Sequence, residues 1–218
     1  IPKQFLKLAG KPVLLYTVDS FLKAFYDIEV ILVLPDQHVQ TGEQIVQNSI
    51  DPPRVQITTG GTTRFQSVKN GLDLINKTSI VFVHDAVRCL VTTTLIKRCY
   101  EVALQKGNAI PAISAVDTIR IDTPKGNELI DRNKVHIIQT PQTFQSNIIK
   151  PAFEQPYESA FTDEASVVER TGIKINLVEG ESYNIKITRP LDLLIAEKLL
   201  EERITSWKAY KEMEDRCD

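Results

Sequence analysis

Short apolar runs rich in β-branched residues alternate along the chain with longer amphipathic stretches. The runs cover residues 29–34, 55–59, 79–83, 109–115 and 173–178, and their lengths are those of strands. Strands that alternate with helices are typical of βαβ units, and a sheet built from such units is mostly parallel and covered by helices. The pattern therefore predicts an α/β fold in a single domain that spans residues 1–218.

Two amphipathic helices are the clearest in this pattern. The first covers residues 63–75, and its apolar residues recur on the face that would pack on a sheet: Phe65, Val68, Leu72 and Ile75. The second opens the last segment with Pro190 in its first turn, and its apolar residues are Leu194, Ile195, Leu199 and Ile204. We expect its polar tail, residues 208–218, to fray.

The pattern changes between residues 116 and 143. Two β-prone pieces, TIRI and HIIQT, flank the polar segment 122–127, which contains Pro, Gly and Asn. This arrangement predicts a hairpin arm that protrudes from the α/β body. Because an isolated hairpin is only marginally stable in water, we expect a second subunit to cover the arm. The sequence therefore predicts a homodimer that forms through segment 116–143.

Composition and charge place the chain among ordinary globular proteins. It has 218 residues, of which 42% are hydrophobic and 25% charged, and a formal net charge of −2. Such a balance gives no field that would attract nucleic acid or an anionic membrane, so basic groups at a local site must hold any anionic ligand. Three widely spaced cysteines indicate neither a disulfide framework nor a zinc site. Without a spanning segment or a signal-peptide pattern, we expect a soluble, cytoplasmic protein.

Asp85 is the first candidate for chemistry. It follows the apolar run 79–83, with Arg88 three residues later, and ligands of an open parallel sheet collect at the carboxyl ends of its strands. A carboxylate there could hold Mg²⁺, which favours carboxylate and phosphate oxygens. The alternative is an ordinary strand-end Asp that caps the next helix.

A glycine pair and two lysines are further candidates. Gly60 and Gly61 precede the helix at residue 63, where exposed amides could receive an anion or a ring carbonyl, although such a pair is more often a simple turn. Lys3 and Lys186 lie in apolar surroundings from which each could reach a crevice. The alternative is that both are solvated surface lysines.

The remaining local patterns favour structural roles. The segment beginning at Thr162 predicts a helix start with Thr162 as the cap and two acids in the first turn. The three histidines lack the HExxH spacing of metal hydrolases, and no GxSxG motif is present. Metal-dependent hydrolysis and acyl transfer are therefore not favoured.

Eight short motifs extend over nearly the whole chain: PKQFL (2–6), GGTTRFQSV (60–68), VHDAVR (83–88), DT (117–118), DRN (131–133), QTPQTF (139–144), TDEAS (162–166) and NIKITRPLDL (184–193). Taken in order, they resemble the 2-C-methyl-D-erythritol 4-phosphate cytidylyltransferase family of the non-mevalonate isoprenoid pathway. The resemblance implies a Rossmann-like nucleotidyltransferase fold. It also implies that CTP and Mg²⁺ are co-reactants, that a sugar-alcohol phosphate is the acceptor and that pyrophosphate leaves.

The same resemblance implies roles for individual residues. Lys3 and Lys186 would grip the α-phosphate, and Asp85 would bind Mg²⁺. Gly61, Thr62 and Ser67 would recognise the cytosine and ribose, and Ala86 would lie beside the ribose. Arg64 of the same motif is a further substrate-binding candidate. The sugar-phosphate pocket would be formed by Arg88, Thr118, Arg132, Thr140 and Thr162. Of these, Thr118 and Arg132 would come from the arm of the other subunit.

The chain departs from the family pattern before PKQFL, where the family has a strand and a glycine-rich loop that wraps the triphosphate. We therefore expect the natural protein to carry roughly 20 further residues there, enough for one strand and a loop. Two alternatives stay open. One is a ribitol 5-phosphate cytidylyltransferase of the same fold, and the other is a non-catalytic nucleotide-binding protein that lacks the loop.

Overall fold

The computed structural model describes the backbone of residues 2–214 and the side chains of residues 2–202. Within this part of the chain the helices are α1 (Val13–Ala24), α2 (Val39–Val46), α3 (Arg64–Asp73), α4 (Thr93–Lys106), α5 (Ser146–Ala152), α6 (Glu164–Glu169) and α7 (Pro190–Glu214). The strands are β1 (Lys7–Leu8), β2 (Lys11–Pro12), β3 (Val30–Leu34), β4 (Val55–Thr59), β5 (Ile80–Val83), β6 (Asn108–Ser114), β7 (Ile119–Thr123), β8 (Gly126–Ile130), β9 (His136–Ile138), β10 (Gln142–Gln145) and β11 (Leu177–Glu179).

The main sheet has the strand order β11-β6-β10-β5, and β9 pairs with β6. β6 and β11 run parallel, whereas β9 and β10 run antiparallel to the strands that they pair with. β3 and β4 form a separate parallel pair. The α/β architecture is as the sequence predicts. The predicted strand over residues 173–178 is wrong in its limits, because pairing with β6 begins only at Leu177.

Helices α1 and α3 pack across both pieces of sheet. Phe21 of α1 meets Phe82 of β5, with ring centroids 5.7 Å apart, and the same helix packs on Leu32 of β3. From the other side, α3 packs on β3 and on Val81 of β5. In the described part of the chain, β3 and β5 each pair with one strand only. The expected additional strand stays a prediction.

Helix ends are fixed by side chains and by one glycine. Thr63 and Thr92 accept backbone N–H groups at the starts of α3 and α4, and α4 ends at Gly107, whose φ of +89° suits a residue without Cβ. At α6 the predicted cap, Thr162, is wrong. Asp163 is the cap, and it forms a capping box with Ser166 because its carboxylate reaches the Ser166 N–H at 2.9 Å.

The apolar face predicted for α3 is confirmed. Phe65 and Leu72 are buried, and Val68 and Ile75 pack against the same core cluster. The predicted helix that opens with Pro190 is confirmed as α7, in which Leu199 packs inward with Leu193 and Ala196, whereas Leu194 is 63% exposed. Helix α7 continues through Glu214, the side chain of Ile204 lies outside the described residues, and so do residues 215–218 of the predicted frayed tail.

A β-hairpin is present where the arm is predicted, but one of its strands differs from the prediction. β7 and β8 pair from Ile119–Ile130 to Thr123–Gly126, whereas the HIIQT piece pairs with β6 in the main sheet. The hairpin carries exposed apolar side chains at Ile121 and Leu129. None of the helices in the described residues is both long and apolar enough to cross a membrane.

Candidate functional site

Asp85 lies directly after β5 and is surrounded by three cationic side chains. Its Oδ2 is 3.1 Å from Nζ of Lys186 and 3.3 Å from Nε of Arg88, and its Oδ1 is 3.9 Å from Nη2 of Arg64. The cations come from the loop before α7, the loop after β5 and the start of α3. Three distant segments of the chain therefore meet at one carboxylate.

The charge of Asp85 is set by these neighbours. Burial alone would raise the pKa of Asp85. The nearby cations hold that pKa below its usual range, with Lys186 contributing most and Arg64 and Arg88 less. The carboxylate is therefore ionised at neutral pH. Three cations outnumber the two carboxylates that pair with them, Asp85 and Glu164, so the site keeps an excess of positive charge that suits a phosphate-bearing ligand.

Arg88 joins the loops around the site. Only 12% of its side chain is exposed. Besides Asp85, its guanidinium donates to the carbonyl oxygen of Asn184 at 2.7 Å, and the Asn184 amide donates to the carbonyl oxygen of Thr140 at 2.8 Å. One arginine and one buried asparagine thus link the loop that carries Lys186 to the loops that follow β5 and β9.

A hydrogen-bond chain behind Asp85 fixes its backbone. The Asp85 N–H donates to Thr140 Oγ1 at 3.1 Å, and Thr140 Oγ1 lies 3.0 Å from His84 Nδ1. His84 Nε2 lies 3.1 Å from the Arg88 carbonyl oxygen, which can only accept, so Nε2 carries the proton. Burial lowers the pKa of His84 to about 4, so the ring is neutral, Nδ1 accepts, and the single hydroxyl proton of Thr140 goes to His84.

The glycine pair forms a compact turn at the start of α3. The Gly61 N–H donates to Ser67 Oγ at 3.1 Å, and Ser67 donates onward to the Thr63 carbonyl oxygen. A Cβ at Gly61 would lie 2.4 Å from Gln66 Cβ, closer than side chains tolerate, so this turn requires glycine at position 61. Thr62 is exposed at the tip of the turn.

Arg64 is paired with Glu164, a contact that the sequence does not reveal. Both carboxylate oxygens of Glu164 accept from the two terminal nitrogens of Arg64. Glu164 is fully buried. The two residues are one hundred positions apart, and the only local signal, two acids at a helix start, indicates a capping role. The pairing could be found only from the folded chain.

The other predicted site residues are not among the ion-pair partners of Asp85 in the described part of the chain. Lys3 is exposed on a single 3₁₀ turn, and none of the ion pairs of Asp85 in the described chain involves it. Thr118 and Arg132 are exposed at the base of the hairpin, where Arg132 donates to the Val116 carbonyl oxygen. Thr162 is exposed just before α6. The Ala86 carbonyl oxygen accepts from Thr17.

Within residues 2–202, no group of three or more His, Cys, Asp or Glu side chains could hold a metal ion. Asp85 therefore stands as a single carboxylate among cations. Mg²⁺ is often bound through one or two carboxylates together with substrate phosphates. A single ionised carboxylate among cations fits that mode of binding, and it does not fit a metal site made by the protein alone.

Comparison with known proteins identifies the family of this site. The family model for 2-C-methyl-D-erythritol 4-phosphate cytidylyltransferase matches residues 1–202. The chain belongs to this family. A cytidylyltransferase of that name from Bacteroides thetaiotaomicron is 43% identical over 200 residues, which are 92% of this chain and 91% of the relative. Another from Phocaeicola vulgatus is 44% identical over the same shares of the two chains.

Solved structures of cytidylyltransferases have the same fold. The 4-diphosphocytidyl-2C-methyl-D-erythritol synthase from Anaerococcus prevotii superposes with a TM-score of 0.80 at 26% identity, over 89% of this chain and 88% of that one. The cytidylyltransferase from Francisella tularensis gives a TM-score of 0.76 at 31% identity, over 90% and 92%. The expected Rossmann-like nucleotidyltransferase fold is confirmed.

Proposed function

We propose that the protein transfers the cytidylyl group of CTP to 2-C-methyl-D-erythritol 4-phosphate, which gives 4-diphosphocytidyl-2-C-methyl-D-erythritol and pyrophosphate. The observation that carries this proposal is the cluster of Lys186, Arg88 and Arg64 around Asp85 at the carboxyl end of β5. Membership of the cytidylyltransferase family supports the identity of both substrates.

The chemistry needs charge neutralisation more than proton transfer. An oxygen of the sugar phosphate attacks the α-phosphorus, the bond from that phosphorus to the oxygen bridging to the β-phosphate breaks, and pyrophosphate leaves with the electron pair. Because the attacking oxygen is already anionic at neutral pH, no general base is required. This agrees with a neutral His84 whose two ring nitrogens are both engaged. Lys186 and Lys3 would stabilise the charge that develops at the α-phosphate.

Mg²⁺ would be held by Asp85 together with the phosphates of the nucleotide. When bound, it would neutralise phosphate charge at the reacting end of CTP. The ion pairs that Asp85 makes with its three neighbours compete with a metal ion, so we expect Mg²⁺ to bind appreciably only with the nucleotide. Calorimetric titration of Mg²⁺ with and without CTP tests this, and equal affinity in both cases would contradict it.

The remaining substrate contacts follow the family resemblance. Cytosine and ribose would lie against Gly61, Thr62, Ser67 and Ala86, and the sugar phosphate would lie near Arg88, Thr140 and Thr162. Thr140 is already engaged in this structure, since its hydroxyl lies between His84 and the Asp85 N–H and its carbonyl oxygen accepts from Asn184. We propose that Thr118 and Arg132 reach the site of a second subunit through the hairpin of a homodimer.

Two further parts of the proposal concern the whole chain. We propose that the protein works in the cytoplasm, where its widely spaced cysteines would stay reduced. We also propose that a further strand lies between β3 and β5, since helices α1 and α3 cover both faces of that position. Slow amide exchange along the facing edges of β3 and β5 in the full-length protein would agree with this strand, and fast exchange along both would contradict it.

The test of the activity is pyrophosphate release by the full-length protein with CTP and Mg²⁺, when methylerythritol 4-phosphate and ribitol 5-phosphate are offered separately. Release with the first acceptor only is the expected result. Preference for the second would transfer the protein to the ribitol reaction, and no release with either would favour a non-catalytic role.

Lys186→Ala is expected to lower kcat by about 10²–10³-fold, because a cation next to the transferring phosphate contributes chiefly to transition-state charge. The fold should survive, since the ammonium is 45% exposed. The matched control is Lys198→Ala, which removes an exposed ammonium that pairs with Glu201 on the same helix. Near-normal turnover in the Lys186 variant would remove Lys186 from the mechanism.

A further inference from the structure

Glu164 is an acidic side chain with no exposed surface, in the first turn of α6. Both of its oxygens are paired with Arg64, Oε2 at 2.9 Å from Nη2 and Oε1 in a second short contact with Nη1. A buried carboxylate is costly unless it is paired and hydrogen-bonded in this way. Its place beside the Asp85 cluster therefore calls for an explanation beyond helix capping, which Asp163 already provides.

The start of α6 is fixed to the main sheet by Gln142 of β10. The Gln142 amide donates to Asp163 Oδ2 at 2.8 Å, and its carbonyl oxygen accepts the Ala165 N–H at 2.8 Å. Gln142 is itself 1% exposed. These two bonds flank Glu164 on both sides, so its carboxylate is held at a fixed place relative to β10 and β5.

Arg64 spans the distance from this buried carboxylate to the open site. Its side chain is 42% exposed, and its Nη2 is 3.9 Å from Asp85 Oδ1. A guanidinium has five N–H donors in a planar fork, and the two-point contact with Glu164 uses only two of them. The contact therefore fixes the plane of the guanidinium and leaves three donors for another group.

We propose that Glu164 is a positioning residue that holds Arg64 so that its remaining donors meet a phosphate of the bound substrates. The inference rests on the proposed cytidylyltransferase function and adds a residue to it. Planar, two-point phosphate recognition is the task to which arginine is better suited than lysine. That phosphate belongs either to CTP or to the sugar phosphate, and the KM value that changes identifies which.

The charges of the pair fit this role. Burial alone would lower the pKa of Arg64, but Glu164, with smaller contributions from Asp85 and Asp163, raises it above its ordinary value. Arg64 therefore remains a full cation while it lies at the edge of the site. Removal of the Glu164 charge would leave the cation in place but free to turn toward Asp85 or solvent.

The experiment is a double-mutant cycle on kcat/KM with Glu164→Gln, Arg64→Ala and the double variant, measured for both substrates in the full-length protein. Glu164→Gln keeps the shape and loses the charge. It is expected to lower kcat/KM roughly 10- to 100-fold, the loss typical of a charge-assisted hydrogen bond. If Glu164 acts through Arg64, the double variant should be no worse than Arg64→Ala alone.

The matched control is Glu158→Gln, which breaks the exposed pair with Arg170 at the other end of α6 and should leave kcat/KM unchanged. If the pair of Glu164 and Arg64 serves only the stability of the fold, Glu164→Gln would lower the melting temperature without changing kcat/KM in the folded protein. That result would overturn the proposal, and so would losses that multiply in the double variant.

If Glu164→Gln does not fold, Glu164→Asp replaces it, because it keeps the charge and withdraws the carboxylate by one methylene. A drop in kcat/KM with the fold intact supports the proposal, and unchanged kinetics overturn it. Wild-type protein that releases no pyrophosphate with either acceptor would instead reject the underlying function, so the two failures are distinguishable.

Discussion

His84 is the residue whose protonation would disturb the site most directly. Its neutral ring receives the Thr140 proton and donates to the Arg88 carbonyl oxygen, and it packs against Phe21 with ring centroids 5.0 Å apart. The charged groups that face it are Asp85 and Arg88. A second proton on the ring would remove the acceptor at Nδ1 and break the chain that holds the Asp85 backbone.

The free energy of unfolding should therefore decrease as the pH is lowered through a defined window. The pKa of His84 is about 4 in the folded protein against about 6.5 when unfolded. Since the unfolded state binds the proton more readily, stability from the neutral ring is complete above the unfolded value. It is lost as pH falls toward 4, by up to about 3 kcal/mol.

Urea unfolding at several pH values measures this effect. The stability of His84→Gln should depend less on pH than that of the wild type between about pH 6.5 and pH 4. The control His136→Gln alters an exposed ring on β9 and should follow the wild type. Parallel curves for the wild type and the His84 variant would contradict the assignment.

At the residue scale, the sequence predicts what local patterns encode. Asp85 can be placed at a strand end because the apolar run before it is clear, whereas its ion pair with Lys186 appears only in the folded chain. The pairing of Arg64 with Glu164 and the engagement of Thr140 by His84 depend on which loops the fold brings together. No spacing in the chain records either contact.

At the scale of elements, Arg54 closes the end of α1. Its Nη2 donates to the Leu22 carbonyl oxygen at 3.1 Å and its Nη1 to those of Phe25 and Tyr26 at 2.9 and 3.1 Å, while Nε pairs with Asp51 at 2.7 Å. These carbonyls have no helical N–H partner, and a cation at a helix C-terminus is favourable. One side chain thus joins α1 to the segment before β4.

Arg54→Ala is expected to destabilise the protein by about 2–3 kcal/mol, because several carbonyl groups lose a charged donor at once. Chemical denaturation provides the measurement. Arg170→Ala is the matched control, since its pair with Glu158 is exposed and should contribute less than about 1 kcal/mol. Equal losses in the two variants would show that Arg54 does not cap α1.

The limits of β3, β4, β5 and β6 are predicted to within one residue, because each is a short run rich in β-branched or apolar residues between helical stretches. The misassigned elements are those whose partners are remote. The HIIQT piece becomes β9 because β6 has a free edge there. In α7, Leu194 and Ile195 are exposed although they are as apolar as Leu193 and Leu199, which pack inward, so composition alone cannot choose between the faces.

At the scale of the whole molecule, the hairpin β7–β8 carries the prediction of a dimer. Leu129 is 65% exposed and Val116 79% exposed. Leu129→Glu should shift the solution mass toward the monomer and reduce activity, because a buried charge at an interface is costly. Light scattering after gel filtration reports the mass. Leu104→Glu, which alters an apolar side chain of α4 that is 55% exposed, should leave both properties unchanged.

The positive cluster around Asp85 also bears on how quickly a nucleotide arrives. The chain as a whole has a formal charge of −2, so a polyanion meets no long-range attraction, and the cluster acts only within about 8 Å, the Debye length at physiological ionic strength. Encounter rates should therefore respond weakly to added salt, whereas residence times should shorten markedly. Stopped-flow binding of CTP across a salt series would separate the two, and a steep fall in the association rate would show that the molecule steers its substrate from a distance.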